Sequence, residues 1–275
     1  MERPIVGLTG EDPRMAEASA RARETFRFFW RELTWERRRE VPLLDVAAIK
    51  LPFPADVSDD GSPTVEHMWI EEVAFDGLHL SGTLLNDPQR VIGLSAGSPV
   101  RRPARQLEDW LYAIDGIAYG GFTVQVLRET MSAAERRAHD AAWGLDFAPP
   151  DQVRIIPSPE DRERLGFFAR LAGRRRPSPV DPTSRPFFEH PMGIASLASA
   201  KALIERRPEL LAERDELGMT MLHREALAGN LGVVRLLIER GADPHALTAE
   251  GQTALQLAAE LQWTPIVRLL ERIGA

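Results

Sequence analysis

The chain has 275 residues, of which 44% are hydrophobic and 27% charged, and its formal net charge is −7. This composition is typical of a globular protein with one or two hydrophobic cores. Because the sequence has no cysteine, disulfides and thiolate metal sites are excluded. The acidic balance argues against nucleic acid as a partner and weakly favours a basic one.

Two further features of the sequence bear on location. No stretch approaches the roughly 18 uninterrupted apolar residues of a membrane span, and the first residues lack the apolar segment of a signal peptide. We therefore expect no membrane association and a cytoplasmic location.

Residues 14–33 are predicted to form a helix. Apolar side chains recur there at helical spacing, with arginine and glutamate between them. They are Ala22, Phe26, Phe29, Trp30 and Leu33. An apolar stripe of this kind is typical of a helix that faces a core.

A first hairpin is predicted around Asp76-Gly77, after a strand at Ala47–Phe53 that Pro52 and Pro54 would end. A two-residue Asp-Gly loop favours a type I′ turn. The resulting register would pair Phe75 with Leu78 and would place apolar side chains on one face.

The same device recurs at Asp115-Gly116. Its register would pair Tyr112 with Tyr119 and place Trp110 opposite Gly121. The glycine pair at 120–121 would let the strand bend before residues 122–127. These hairpins predict a bent antiparallel sheet with the leading helix packed on it, which is an α+β domain with two type I′ hairpins.

Helix signals and a linker follow the sheet. Ser132 and Glu135 form a capping box that opens a short helix ending near Ala142. Another helix start is predicted at Ser158. Residues 174–191 are rich in proline and arginine, so they are read as a linker in which Phe187-Phe188 docks on the protein. We expect an α+β domain at 14–147, a helix and linker at 148–192, and a separate part at 193–275.

The last part of the chain repeats with a period of 33 residues. Residues 218–223 (Gly-Met-Thr-Met-Leu-His) recur as residues 251–256 (Gly-Gln-Thr-Ala-Leu-Gln), and Gly241-Ala242 recurs as Gly274-Ala275. This period and these motifs resemble the ankyrin repeat, which has a turn and two antiparallel helices per unit. The sequence predicts two repeats after one degenerate capping unit. Met221 departs from the usual proline, and Trp263 replaces a polar residue.

The resemblance has two structural implications. His223 is expected to order its turn through hydrogen bonds. Since about three repeats are needed for stability, the degenerate unit or docking on the first domain must complete the core.

No catalytic motif stands out. His67 and Glu71 would share one face of a strand while Glu72 points away. A metal site there is conceivable, but the polar rim of a sheet is the commoner meaning of this pattern. The glycines lack the Gly-Lys-Ser/Thr ending of a phosphate loop. The arginines at 101–105 and 174–176 are read as solvated loops.

Several stretches within residues 16–147 resemble the bacterial domain-of-unknown-function 2314 (DUF2314) family. They include Glu66-His67-Met68-Trp69-Ile70, Gly82-Thr83-Leu84-Leu85-Asn86, Asp109-Trp110-Leu111-Tyr112 and Gly120-Gly121-Phe122-Thr123. The family implies no activity and no catalytic residues that could be transferred.

Two functional hypotheses remain. The first is a protein-binding bacterial protein without catalytic residues, metal or cofactor, and its narrower form is an immunity or antitoxin-like role. The second is a small-molecule or nucleic-acid binding module, or an unrecognised enzyme, built on the sheet. The candidate recognition residues are His67, Trp69, Glu71, Trp110, Tyr112 and Trp263.

Overall fold

The computed structural model describes residues 12–55, 64–158 and 189–275. The chain divides into two compact units. The first contains the described residues up to Phe29 and from Glu36 to Pro157, and the second contains Trp30–Trp35 and the described residues from Ser158 to the end. The predicted helix after Ser158, Phe187-Phe188 and most of the predicted linker lie outside the described residues.

The first unit is an antiparallel sheet with helices. Its elements are β1 (Leu44–Ala55), β2 (Thr64–Phe75), β3 (His79–Leu84), β4 (Pro99–Pro103), β5 (Asp109–Ile114), β6 (Ile117–Gly120), α2 (Phe122–Thr130), α3 (Ala133–Trp143) and most of α1 (Pro13–Glu36). The strand order is β4-β3-β2-β1-β5-β6. The fold class is therefore α+β, as predicted.

Strand β1 continues through Pro52 and Pro54, which were wrongly predicted to end it. Its pairing with β5 stops at Lys50, whose carbonyl accepts the N–H of Glu108. Backbone N–H and C=O groups alternate in direction along a strand. The backbone nitrogens of Pro52 and Pro54 therefore point to the side where β5 no longer pairs with β1. No ladder hydrogen bond is lost there.

Helix α1 covers one face of the sheet with its apolar stripe. Ala22, Phe26 and Phe29 are buried. The indole N–H of Trp110 donates to the Ala22 carbonyl at 2.9 Å, and the rings of Phe26 and Phe75 meet edge to face. On the opposite face of the sheet, a separate apolar cluster consists of Leu111, Ala118, Val124 and Phe147, and Trp69 and Trp143 pack against it. Strand β5 is consequently buried at every position.

The predicted register of the first hairpin is wrong. Phe75 pairs with Leu80 rather than Leu78. The Asp76 carboxylate accepts the N–H groups of Leu78 and His79, which moves the two-residue loop to Gly77-Leu78. Positive φ occurs at Gly77 alone in this loop. This is the pattern of a type II′ turn rather than type I′.

The second hairpin is confirmed, whereas the strand predicted after it is wrong. Tyr112 pairs with Tyr119, and both Asp115 and Gly116 have positive φ. Residues 122–130 form helix α2 instead of a bent strand. The carboxylate of buried Asp109 accepts the first N–H groups of that helix, from Phe122 and Thr123. This cap stabilises the turn into a helix.

The second unit contains five described helices. They are α4 (Pro191–Arg206), α5 (Met221–Ala228), α6 (Leu231–Glu239), α7 (Ala254–Glu260) and α8 (Thr264–Arg272). The pairs α5/α6 and α7/α8 fall where the two repeats are predicted, and α4 falls in the predicted degenerate unit. Among the described residues, no helix is long and apolar enough to span a membrane.

The core of the second unit includes the short segment from Trp30 to Trp35. Trp35 stacks on the ring of His190 at 5.6 Å. Glu32 accepts a hydrogen bond from Nε2 of the same histidine at 3.1 Å. The guanidinium of Arg31 lies 5.5 Å from the ring of Trp263. This segment therefore adds the side chains of Arg31, Glu32 and Trp35 to the unit that contains the described repeat helices.

Candidate functional site

The turn before the first full repeat is ordered by His223. Its Nδ1 accepts the N–H of Thr220 at 3.1 Å, and its Nε2 donates to the Ala246 carbonyl at 2.9 Å. Burial lowers the pKa of His223, which favours the neutral ring that this arrangement requires. The prediction that His223 orders its turn is confirmed.

The second repeat orders the same turn with an amide. Oε1 of Gln256 accepts the N–H of Thr253 at 2.8 Å, and the Thr253 hydroxyl accepts the N–H of Gln256. This reciprocal capping box fixes the start of α7. Because Gln256 is exposed while His223 is buried, the second repeat keeps a polar side chain at the surface where the first does not.

A groove with a volume of about 620 Å³ lies beside α7 and the turn that precedes it. We call it the repeat groove. It is lined by Glu250, Gly251, Gln252, Gln256, Ala259, Glu260 and Gln262. This lining offers two carboxylates and three amides and contains no basic side chain. The groove therefore suits a partner that carries hydrogen-bond donors or positive charge.

The first helices of the two repeats, α5 and α7, differ in which side chains they expose to solvent. Helix α5 exposes Arg224 alone, whereas α7 exposes Gln256, Ala259 and Glu260. The loops before these helices each present an apolar side chain to solvent. Leu217 is 45% exposed and Leu247 is 50% exposed. The first helix of the second repeat therefore exposes more side chains than that of the first, and each preceding loop adds one apolar side chain.

Trp263 was predicted to be part of a recognition surface, and the structure contradicts this. The residue is buried at the start of α8, and its indole N–H donates to the Leu227 carbonyl at 3.0 Å. It occupies the position that Asn230 has in the preceding repeat. Its role in the structure is packing between repeats.

The prediction that Trp110 and Tyr112 belong to an exposed aromatic surface is also wrong. Both are buried, and their rings stack in parallel at 5.9 Å beneath α1. The reason is that β5 lies between helices on both sides of the sheet, so Tyr112 is buried even though it carries a hydroxyl group.

The remaining predicted residues lie on the opposite face of the sheet. His67, Trp69 and Glu71 alternate along β2 and therefore share this face. His67 and Glu71 are exposed, and Trp69 is partly buried. Nδ1 of His67 pairs with Glu108 at 2.6 Å rather than with Glu71.

Sequence reasoning missed the polar groups that surround this pair. Lys50 lies opposite both Trp69 and Asp109, and Thr123 donates its hydroxyl proton to Asp109 at 2.6 Å. Burial lowers the pKa of Lys50 and raises that of Asp109, although each charge opposes the shift of the other. A lysine between the apolar residues Ile49 and Leu51 was the signal available in the sequence.

The fold and the repeat geometry define an ankyrin repeat protein with an additional α+β domain. The family model described as an uncharacterized protein conserved in bacteria (DUF2314) matches residues 12–147, and the ankyrin repeat model matches residues 203–258. The repeats support a protein-binding role.

Relatives match the whole chain or one of its parts. An ankyrin repeat protein of Neisseria meningitidis serogroup B, NMB1133/NMB1171, is 39% identical over 94% of this chain and 94% of its own length. The uncharacterized protein YegJ of Escherichia coli is 29% identical over 33% of this chain and 56% of its own length. Human protein phosphatase 1 regulatory subunit 27 is 34% identical over 32% of this chain and 57% of its own length. The chain therefore belongs to the same family as the Neisseria ankyrin repeat protein, and it joins a DUF2314 domain to ankyrin repeats.

Proposed function

We propose that this protein binds a partner protein through the repeat groove and the two loops that carry Leu217 and Leu247. The observation that carries the proposal is the difference in exposure between α5 and α7, the first helices of the two repeats. Helix α5 is nearly enclosed, whereas α7 exposes polar side chains beside a groove of about 620 Å³. Surface apolar residues next to a polar rim are typical of protein interfaces.

The charge of the groove suggests the chemistry of the partner. Glu250 and Glu260 are its charged lining residues, and the whole chain is acidic. A basic segment of a partner would gain charge-assisted hydrogen bonds there. An immunity or antitoxin-like role, in which this surface masks a basic protein in the cytoplasm, is the specific form of the proposal. In it, the parts at 14–147 and 193–275 act together, joined by residues 148–192.

The relatives agree with a binding role in general terms. The human relative is named as a regulatory subunit of a phosphatase, and another, human RFXANK, is named as a DNA-binding protein. These names support recognition of another molecule in general terms and say nothing about the partner of this chain.

Affinity purification with matched variants tests the proposal. The full chain is used as bait in native lysate beside Glu260→Lys and, as a control, Glu271→Lys on the exposed side of α8. We expect a basic partner to be retained by the unchanged chain and by Glu271→Lys, and to be reduced at least tenfold by Glu260→Lys. Equal recovery with all three baits would rule out the groove as the binding surface.

A further inference from the structure

We propose that Lys50 is the reactive amine of a small-molecule site on the face of the sheet that carries His67 and Trp69. The site takes a carbonyl compound, an aldehyde or ketone, as an imine. This inference concerns the first unit alone and does not depend on the protein-binding role of the repeats.

Lysine is rare in this chain. Lys50 and Lys201 are the two lysines among 34 basic residues, and all others are arginine. Arginine remains protonated in proteins, whereas a lysine can lose its proton and act as a nucleophile when it is partly buried. A position that needs only positive charge would be served by the residue that this chain uses almost everywhere else.

The surroundings of Lys50 come from four elements. The residue lies on β1, directly opposite Trp69 on β2 and Asp109 on β5. Its Nζ is 3.5 Å from Oγ1 of Thr123, at the start of α2. Lys50 is held on a rigid sheet, and the residue as a whole is partly rather than fully buried.

The amine of Lys50 has unused hydrogen-bonding capacity. Among residues 12–55, 64–158 and 189–275, it makes that one long hydrogen bond and no ion pair within 4 Å. Asp109 is adjacent, but its two oxygens already accept four hydrogen bonds, from the N–H groups of Trp110, Phe122 and Thr123 and from the Thr123 hydroxyl. A carboxylate offers about four acceptor positions. Asp109 therefore acts on Lys50 through its charge but does not take up the hydrogen-bonding capacity of the amine.

The neighbouring titratable groups favour a neutral ligand. Glu108, Asp109 and His67 face this region, and Glu108 is bound to Nδ1 of His67 at 2.6 Å. An anionic ligand would meet two carboxylates, whereas a neutral carbonyl oxygen can accept from Lys50 without that repulsion. With its Nδ1 proton directed at Glu108, the second nitrogen of exposed His67 can accept or return a proton.

Imine formation needs no oxidant or reductant. The lone pair of Lys50 Nζ forms a bond to the carbonyl carbon, and the C=O π electrons move to oxygen, which takes a proton. The resulting carbinolamine loses water as the C=N bond forms, and His67 relays the protons. The amine and the carbonyl compound thus give an imine and one water molecule.

Reductive trapping in the full chain tests this proposal. The protein is incubated at neutral pH with benzaldehyde, whose ring can pack against Trp69, and with sodium cyanoborohydride, which reduces any imine to a stable amine. Peptide mass mapping then measures the adduct at each lysine. Lys201, exposed on α4, is the internal control. We expect Lys50 to be modified at least about tenfold faster than Lys201, because a partly buried lysine can lose its proton and act as a nucleophile.

Variants of the same chain separate reactivity from exposure. His67→Gln should slow modification of Lys50 several-fold and leave that of Lys201 unchanged. Glu71→Gln, on the same face, should alter neither. Lys50→Arg should abolish the adduct at residue 50 while retaining the circular dichroism spectrum of the unchanged protein. Modification of Lys201 at an equal or greater rate than Lys50 would overturn the proposal, as would a His67→Gln variant in which Lys50 reacts at the unchanged rate.

Discussion

The indole of Trp263 lies against Gly229, where an added Cβ atom would come within 2.5 Å of the ring. Gly229 ends α5 with φ of 78°. Trp263 belongs to the next repeat and also donates its N–H to the Leu227 carbonyl. A large side chain from one repeat thus fits onto bare backbone of the repeat before it, which locks the two units in register.

This contact predicts an unusually costly glycine substitution. Gly229→Ala would add the strain of a positive φ, roughly 1–2 kcal/mol, and a steric clash of about 1–3 kcal/mol. Gly241→Ala is the matched control, because it also has positive φ but no atom within 4 Å of its Cβ. Urea unfolding should show a larger loss for Gly229→Ala. Equal losses would contradict the packing role of Trp263.

At Gln262, a substitution to glycine should stabilise the protein. It occupies the position in the second repeat that Gly229 has in the first, and it adopts φ of 54°. Gln262→Gly should raise the free energy of unfolding by about 1 kcal/mol, since glycine adopts this conformation without strain. Gln262→Ala retains the strain and should give no such gain. A destabilised glycine variant would show that the glutamine side chain contributes more than its backbone costs.

His223 should make stability depend on pH. Its pKa is lowered by burial in the folded protein, while in the unfolded chain it titrates near 6.5. The unfolded state therefore binds the extra proton first. The stabilisation by neutral His223 is complete above about pH 6.5 and is lost as the pH falls toward the folded pKa.

The pH experiment compares His223→Gln with the unchanged protein. Thermal unfolding between about pH 7.5 and 5 should show a smaller loss of stability for the variant, because glutamine does not titrate. His245→Gln, at an exposed histidine, should behave like the unchanged protein. Parallel pH profiles for all three would exclude a role for His223 in acid sensitivity.

Gly120 is a further position with no room for a side chain. A Cβ atom there would lie 2.1 Å from the Trp110 carbonyl oxygen and 2.4 Å from its ring. Gly120→Ala should destabilise the first unit by several kcal/mol, through clash and positive φ together. Gly116→Ala, with similar φ and an open Cβ direction, should lose only the conformational part. The difference can be measured by calorimetry, and similar melting temperatures for the two would contradict it.

The features predicted well from the sequence are those that leave a direct pattern in it. The 33-residue period is a recurrence of whole motifs, and the Asp115-Gly116 turn depends on two adjacent residues. The first hairpin was mispredicted because the Asp76 side chain competes for the turn N–H groups. The helix at 122–130 was missed because its cap, Asp109, lies more than ten residues earlier. Such long-range hydrogen bonds leave no periodic signal.

The candidate sites were less predictable for a related reason. Exposed and buried aromatic residues look alike in a sequence, so Trp110, Tyr112 and Trp263 could not be distinguished from surface residues. His67 and Glu71 were correctly placed on one face by strand alternation, but the true partner of His67 is Glu108, on another strand. Finding it requires the order of the strands in the sheet.

Site-specific photo-crosslinking tests the central claim, that the protein recognises a partner through the repeat groove. A photoreactive phenylalanine analogue is placed at Gln256 within the groove, or at Arg268, which is exposed on α8 outside it. After irradiation in native lysate, we expect one discrete crosslinked protein from position 256 and none from position 268. No crosslink at 256, or the same product from both positions, would contradict recognition through the groove.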